Sequence, residues 1–224
     1  MSCISAVILM ALLSSSEKHA HHDGRDRHGN PENLSEYIAK MESPDREEWQ
    51  KPSEVIRALA PRPGQVACDI GAGPGYFSLR LSQAVGENGV VYAVDVEPRI
   101  LQVLLDRIDK SRAANVVPVL ALRGDPLLPR AACDLILIVD TFHHFPDPVA
   151  YLRRLALSLR KDGRIVNIDF HKRELPVGPP VDHKVSREEF LDTARAAGLG
   201  LVKEYNFLPY QYFLVLEPAP SPTR

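Results

Sequence analysis

Between residues 65 and 170, five short apolar runs alternate with segments of helical period. That alternation restricts the chain to a mostly parallel α/β sheet covered by helices on both faces. The runs are QVACDIG (65–71), GVVYAVDV (89–96), NVVPVLAL (115–122), CDLILIVD (133–140) and GRIVNIDF (163–170). The uninterrupted run at 133–140 suits a central strand buried on both sides. Pro118 cannot donate to a ladder, which assigns the third run to a sheet edge. Segments 74–85, 98–110, 148–159 and 186–197 read as helices. In the second of these Leu101, Leu104, Leu105 and Ile108 share one face. Ser186 and Glu189 form a capping box for the last, and Gly198 stops it. Residues 200–210 and 211–218 are two further strand patterns with no room for a helix between them, so they are expected to pair as an antiparallel hairpin.

Ahead of the sheet, residues 36–63 read as a helical cap broken by prolines, in which Pro52 opens a helix running to about Leu59. The remainder divides into a sheet domain over 64–218 and a tail over 219–224. Residues 14–35 are polar, with His19, His21, His22 and His28 beside Asp23 and Asp26, too poor in apolar side chains to pack. Their spacing fits no metal site, and no metal is expected. Residues 3–13 are an apolar run of signal-peptide length, too short to span a bilayer. No Lys or Arg precedes it, as a secretory leader requires. The expected location is cytoplasmic, with export or anchoring through residues 3–13 as the alternative. Net charge is −2, which provides no basic field for nucleic acid. Of the three cysteines, Cys68 and Cys133 fall in or beside strands and are read as buried, reduced thiols, since no zinc or disulfide framework is evident.

Ligands of open α/β sheets bind beyond the C-terminal ends of the strands, where strand order reverses. The residues at those ends are Asp69 to Gly75, Asp95, Asp125, Asp140 to His144, and Asp169 to Lys172. Gly71-Ala72-Gly73-Pro74-Gly75 is G-x-G-x-G, and Tyr76 stands where a dinucleotide fingerprint wants its third glycine. Asp95 closes the second strand, where a carboxylate can accept hydrogen bonds from a ribose diol.

These motifs together resemble a class I S-adenosylmethionine-dependent methyltransferase, of the type 11-like small-molecule branch that also holds quinone-biosynthesis enzymes. The stretches that carry the likeness are CDIGAGPGYFSLRLS, VVYAVDVEPRIL, GDPLLP and CDLILIVDTFHHFPDPVAYLRRLALSLRKDGRIVNIDF, within residues 49–217. The resemblance implies a seven-stranded, doubly wound, Rossmann-like sheet with an antiparallel C-terminal hairpin strand, and S-adenosyl-L-methionine as cofactor. It implies that Asp69 lies near the methionine ammonium and that Gly71, Ala72, Gly73 and Gly75 line the cofactor. Asp95, with Val96 beside it, would hold the ribose hydroxyls. Asp125 would approach adenine, and Asp140 and Thr141 the methionine end. Tyr37 and Trp49 would cover the site. One departure is Pro126, which has no N–H where the family often donates one to adenine, so Asp125 also reads as a turn residue.

After the fourth strand the chain reads Asp140-Thr141-Phe142-His143-His144-Phe145, not the Asn/Asp-Pro-Pro-Tyr of enzymes that methylate exocyclic or amide nitrogens. The expected acceptor is therefore a small molecule, methylated by in-line displacement, with no nucleic-acid partner. His143, ahead of His144, is the candidate base; packing beside the cofactor is the other reading. Two further functions stay open at this point: a nicotinamide oxidoreductase and a non-catalytic exported binding protein.

Overall fold

The computed structural model describes residues 33–220. The apolar run at 3–13 and nearly all of the histidine-bearing tract lie outside them. Seven strands form one sheet: β1 (Val66–Ile70), β2 (Val90–Asp95), β3 (Val116–Leu120), β4 (Cys133–Val139), β5 (Leu159–Phe170), β6 (Leu199–Tyr205) and β7 (Gln211–Pro218). Their order is β3-β2-β1-β4-β5-β7-β6. The first five are parallel to one another, while β7 runs antiparallel to both β5 and β6. The fold is the seven-stranded Rossmann-like sheet that the resemblance implies. Pro118 sits on edge strand β3, where no ladder bond is lost on the open side.

Seven helices flank the sheet: α1 (Leu34–Met41), α2 (Arg46–Trp49), α3 (Pro52–Leu59), α4 (Ser78–Val85), α5 (Pro98–Ser111), α6 (Pro148–Ser158) and α7 (Arg187–Ala196). The side-chain alternation of each strand feeds two cores. Leu135, Leu137 and Val139 of β4 join Leu59, Leu81 and Leu104 on one face. Ile136 and Ile138 join Leu152, Leu155 and Phe190 on the other. A continuous apolar run in β4 is thus required, because neither face meets water. Each fully buried aliphatic side chain contributes about 1.5–3 kcal/mol. The capping box predicted at Ser186 and Glu189 forms in both directions.

Two boundaries differ from expectation. Helix α4 starts at Ser78 rather than Pro74, because Gly71, Gly73 and Gly75 all have left-handed φ (+71°, +55° and +92°), which breaks helical propagation across the bend. Strand β5 starts at Leu159 rather than Gly163, with Asp162 at φ +64° inside it and a register shift against β4.

The thiol reading is corrected. Cys68 and Cys133 are joined as a disulfide between neighbouring strands, with 65 residues of sequence separation and Cα atoms 6.3 Å apart. Spacing along the chain gave no hint of the pair, because the crossover topology alone brings β4 beside β1. Both side chains then face the same core. No helix among the described residues is long and apolar enough to cross a membrane.

The bridge generates a prediction. Non-reducing peptide mapping should recover the Cys68 and Cys133 peptides as one species. A bridge of this loop length stabilises by about 2–4 kcal/mol. Reduction, or Cys68→Ala with Cys133→Ala, should therefore lower Tm by roughly 5–15 °C by scanning calorimetry.

Candidate functional site

The strand order reverses between β1 and β4, so the turns leaving these two strands diverge and open a crevice at their C-terminal ends. The turn after β1 is the glycine bend. Its Gly71 and Ala72 N–H groups both donate to Val94 O, at 2.8 and 3.0 Å, which ties the bend to β2. A Cβ on Gly71 would lie 2.2 Å from Thr141 Oγ1, and that hydroxyl is held by Val139 O at 2.8 Å. The turns after β1 and β4 therefore touch through a position where only glycine fits. A Cβ on Gly73 would lie 2.5 Å from Met41 Cε, at the end of α1. At Gly75 the missing side chain makes room for Leu104 of α5, 2.5 Å away; this glycine's bareness serves helix packing.

Three carboxylates ring the bend. Asp69, 3% exposed, accepts a 2.6 Å hydrogen bond from Ser78 Oγ. Burial pushes its pKa up to about 6 against the opposing Ser78 bond. Asp95 accepts from Gly73 N–H at 2.9 Å and from Glu97 N–H at 3.0 Å, one on each oxygen. Burial raises its pKa, and those backbone bonds oppose the rise. Each oxygen keeps a further lone-pair direction for a hydroxyl donor. Asp140 adopts φ +51°, an uncommon conformation for a residue with a side chain. Its two oxygens accept from Gln50 Nε2 at 3.1 Å and from Gln211 Nε2. Burial first, and the charge of Asp169 second, push its pKa up to about 7.

The helical cap closes over this ring. Arg46 of α2, 8% exposed, donates to Gln50 Oε1 and Met41 O and lies 3.9 Å from the centre of the Tyr76 ring. Burial lowers its pKa, with the charge of Asp140 opposing. Arg46, Gln50, Asp140 and Gln211 thus form one buried polar chain from the cap to β7. The pattern of the sequence singled out only Asp140 among them. Arg46, Gln50 and Gln211 belong to no motif, and their polarity in short amphipathic segments resembles that of any surface residue. Trp49 packs against Phe170 with ring centres 5.4 Å apart, and Tyr37 is 36% exposed. Burial and the charge of Asp95 raise the Tyr37 pKa.

The remaining sequence candidates divide. Val96 follows β2 and is 39% exposed. Asp125 accepts from Leu127 N–H at 2.9 Å and approaches Arg154 at 3.6 Å, the partners of a turn residue. His143 lies in a short 3-10 turn after β4, anchored by Phe142 against Phe190 at 4.7 Å. Its Nδ1 stands 3.6 Å from Asp169 Oδ2 of β5. The neighbouring His144 ring is 4.1 Å away, on the exposed side. In the loop after β5, Lys184 is buried and donates to Arg173 O at 2.7 Å, which fastens the loop internally. A concavity of about 490 Å³ between α3 and β6, lined by Arg57, Lys203 and Tyr205 among others, shares no residue with this ring and has no convergent carboxylates.

The donor set decides which group fits. Asp69, Asp95 and Asp140 surround the bend, and the nearby cations Arg46 and Arg107 are committed to Gln50, Met41 O, Pro74 O and Glu42. Among the described residues, a dinucleotide phosphate would meet three carboxylates, with Arg46 and Arg107 already engaged. A sulfonium compound with an ammonium and a ribose diol meets complementary charge and acceptors.

Fold and site together define a class I methyltransferase domain. The methyltransferase-domain family model matches residues 61–204, and the chain belongs to that family. Its members take S-adenosyl-L-methionine as methyl donor. A methyltransferase of Aquifex aeolicus described as S-adenosylmethionine-dependent is similar at 27% identity and TM-score 0.78, covering 82% of this chain and 97% of that one. The ubiquinone/menaquinone biosynthesis C-methyltransferase UbiE of Vibrio vulnificus is 31% identical over 57% of this chain and 48% of its own length. Demethylmenaquinone methyltransferase of Staphylococcus aureus is 28% identical over 58% and 52%. The chain spans about half the length of these two curated relatives.

Two measurements check the site. Gly71→Ala should cost about 2–5 kcal/mol in urea denaturation, because left-handed strain adds to a clash with a pinned Thr141. Gly198→Ala, at φ +85° with nothing within 4 Å of the new methyl, should cost about 1 kcal/mol. The second concerns pH. A carboxyl whose folded pKa lies above its unfolded value stabilises the fold fully below the unfolded value and loses that contribution as pH rises through the folded value. For Asp140 the window runs from 3.8 to about 7. Asp140→Asn should therefore destabilise more at pH 5 than at pH 8, as read from paired denaturation curves.

Proposed function

We propose that this protein transfers the methyl group of S-adenosyl-L-methionine to a small-molecule acceptor by in-line displacement. The observation that carries the acceptor class is the enclosure of the acceptor end. Asp140, His143 and Asp169 lie beneath a cap whose Gln50 is fully buried and whose Trp49 packs on Phe170. An enclosure of this kind supports a compact acceptor over a folded protein surface or a duplex. Of the relatives described above, those of Vibrio vulnificus and Staphylococcus aureus are named for quinone-related methylation, which supports this class.

In this reading Asp95 holds the ribose diol with its remaining lone pairs, and Asp69 and Asp140 face the ammonium and sulfonium charges. Gly71 and Gly73 let backbone approach the bound molecule, and Ala72 lines it. The cofactor supplies an activated methyl carbon. The chain supplies alignment of the acceptor, exclusion of water and compensation of positive charge. Val96 and Asp125 contribute position at the adenosine end, the latter through its turn.

Isothermal titration tests the reading. S-adenosylhomocysteine should bind with a measurable heat, and Asp95→Ala should weaken it more than tenfold, at least about 1.4 kcal/mol. An unchanged dissociation constant in the variant would refute the ribose assignment, and no binding by the wild-type protein would remove the function.

A further inference from the structure

On β5 the residues Ile165, Asn167 and Asp169 point to one face of the sheet, by the two-residue alternation of a strand. Ile165 belongs to the core there, yet Asn167 and Asp169 are both 0% exposed and polar. The Asn167 amide has Tyr212 of β7 as its polar neighbour, and Asp169 Oδ2 makes no hydrogen bond of normal geometry to a described residue. Asp169 Oδ1 is engaged by the Phe170 N–H at 2.8 Å. A buried carboxylate oxygen costs several kcal/mol unless something offsets it. The group it faces is His143 Nδ1, at 3.6 Å, on a side chain 8% exposed.

The separation is an ion-pair distance, longer than a hydrogen bond. Such contacts at catalytic sites commonly tighten only when substrate is bound. The charges around the imidazole all favour that closure. Asp169 faces it from β5 and Asp140 from the end of β4, with Arg46 of α2 reaching Asp140 through Gln50. The tilted His144 ring lies 4.1 Å from it, and Tyr212 of β7 stands opposite Asp169 in the ladder. Burial lowers the His143 pKa, and the nearby carboxylates of Asp169 and Asp140 outweigh it, so the net direction is upward. The 3-10 turn fixes the ring between Phe142, locked on Phe190, and the strand ends.

From this geometry we infer that Asp169 is a positioning residue that holds His143 with a proton on Nδ1, so that Nε2 serves as the base for an acceptor that must be deprotonated before methylation. The inference rests on the function proposed above and deepens it. The acceptor class is a molecule whose nucleophilic atom carries an acidic proton, on a hydroxyl or on a carbon flanked by electron-withdrawing groups. The proton passes from that atom to Nε2. The bond to hydrogen breaks, its electron pair stays on the acceptor as the nucleophile, and the imidazole becomes an imidazolium beside Asp169. The imidazolium returns the proton to solvent afterwards. An acceptor without such a proton, such as a tertiary amine or a thioether, would have no use for the pair.

Nitrogen-15 histidine spectra of the full chain test this without an acceptor, with His143→Gln assigning the signal. Wild-type His143 should show the Nδ1–H tautomer with a pKa above 6.5, and Asp169→Asn should lower that pKa by about one pH unit and mix the tautomers. An Nε2–H tautomer in the wild-type protein overturns the inference, whether or not the variant folds. So does a His143 titration that is the same in a folded Asp169→Asn protein. Calorimetry with S-adenosylhomocysteine separates the two claims: retained binding with an unmoved His143 titration sinks this inference alone. Absent binding in the wild-type protein sinks the function it rests on, and the acceptor role falls with it.

Discussion

The contact between Gly71 and Thr141 sets the geometry of everything around it. Where strand order reverses, the turns after β1 and β4 diverge into a crevice, yet here they still touch at one point, because Gly71 has no side chain and Thr141 is tied to Val139. That single approach holds the turn that follows Asp69 against the turn that follows Asp140. It also sets the direction in which the 3-10 turn carries His143. A methyl group at this place would push the β4 turn away, and with it the histidine and the polar chain to the cap.

The site is acidic and dry, a combination that shapes its chemistry. Desolvation raises the pKa of Asp69 and Asp140, so their charges are costly in the ligand-free fold. A cationic ligand relieves that cost, and specificity for a sulfonium over a phosphate follows from the same term. The cap takes part through Gln50, which donates to Asp140, and through Arg46, which holds Gln50 and packs on Tyr76. Closing the crevice and tuning its electrostatics are therefore performed by the same side chains.

Much of this was legible from residues alone. The strand and helix alternation, the edge position of Pro118 and the closing hairpin follow from local rules of periodicity and proline chemistry. So does the capping box at Ser186, since its atoms lie within one helical turn. The glycine bend was visible as a motif, but the separate jobs of its glycines were not: Gly71 yields to Thr141, Gly73 to Met41 and Gly75 to Leu104. These partners are distant in sequence, and the motif contains no information about them. At Asp125 the sequence offered both an adenine contact and a turn, and its neighbours show the partners of the turn.

The sequence by itself determined the architecture, the family and the acidic strand ends, because these depend on period, composition and short-range spacing. The tertiary structure alone decided which distant groups meet. It joined Cys68 to Cys133 across β1 and β4, linked Arg46 and Gln50 to Asp140 and Gln211, and set Asp169 against His143. Each of these pairings brings together residues from separate elements. Their separation is fixed by the crossover order of the sheet and by side-chain packing, and no pattern along the chain encodes it.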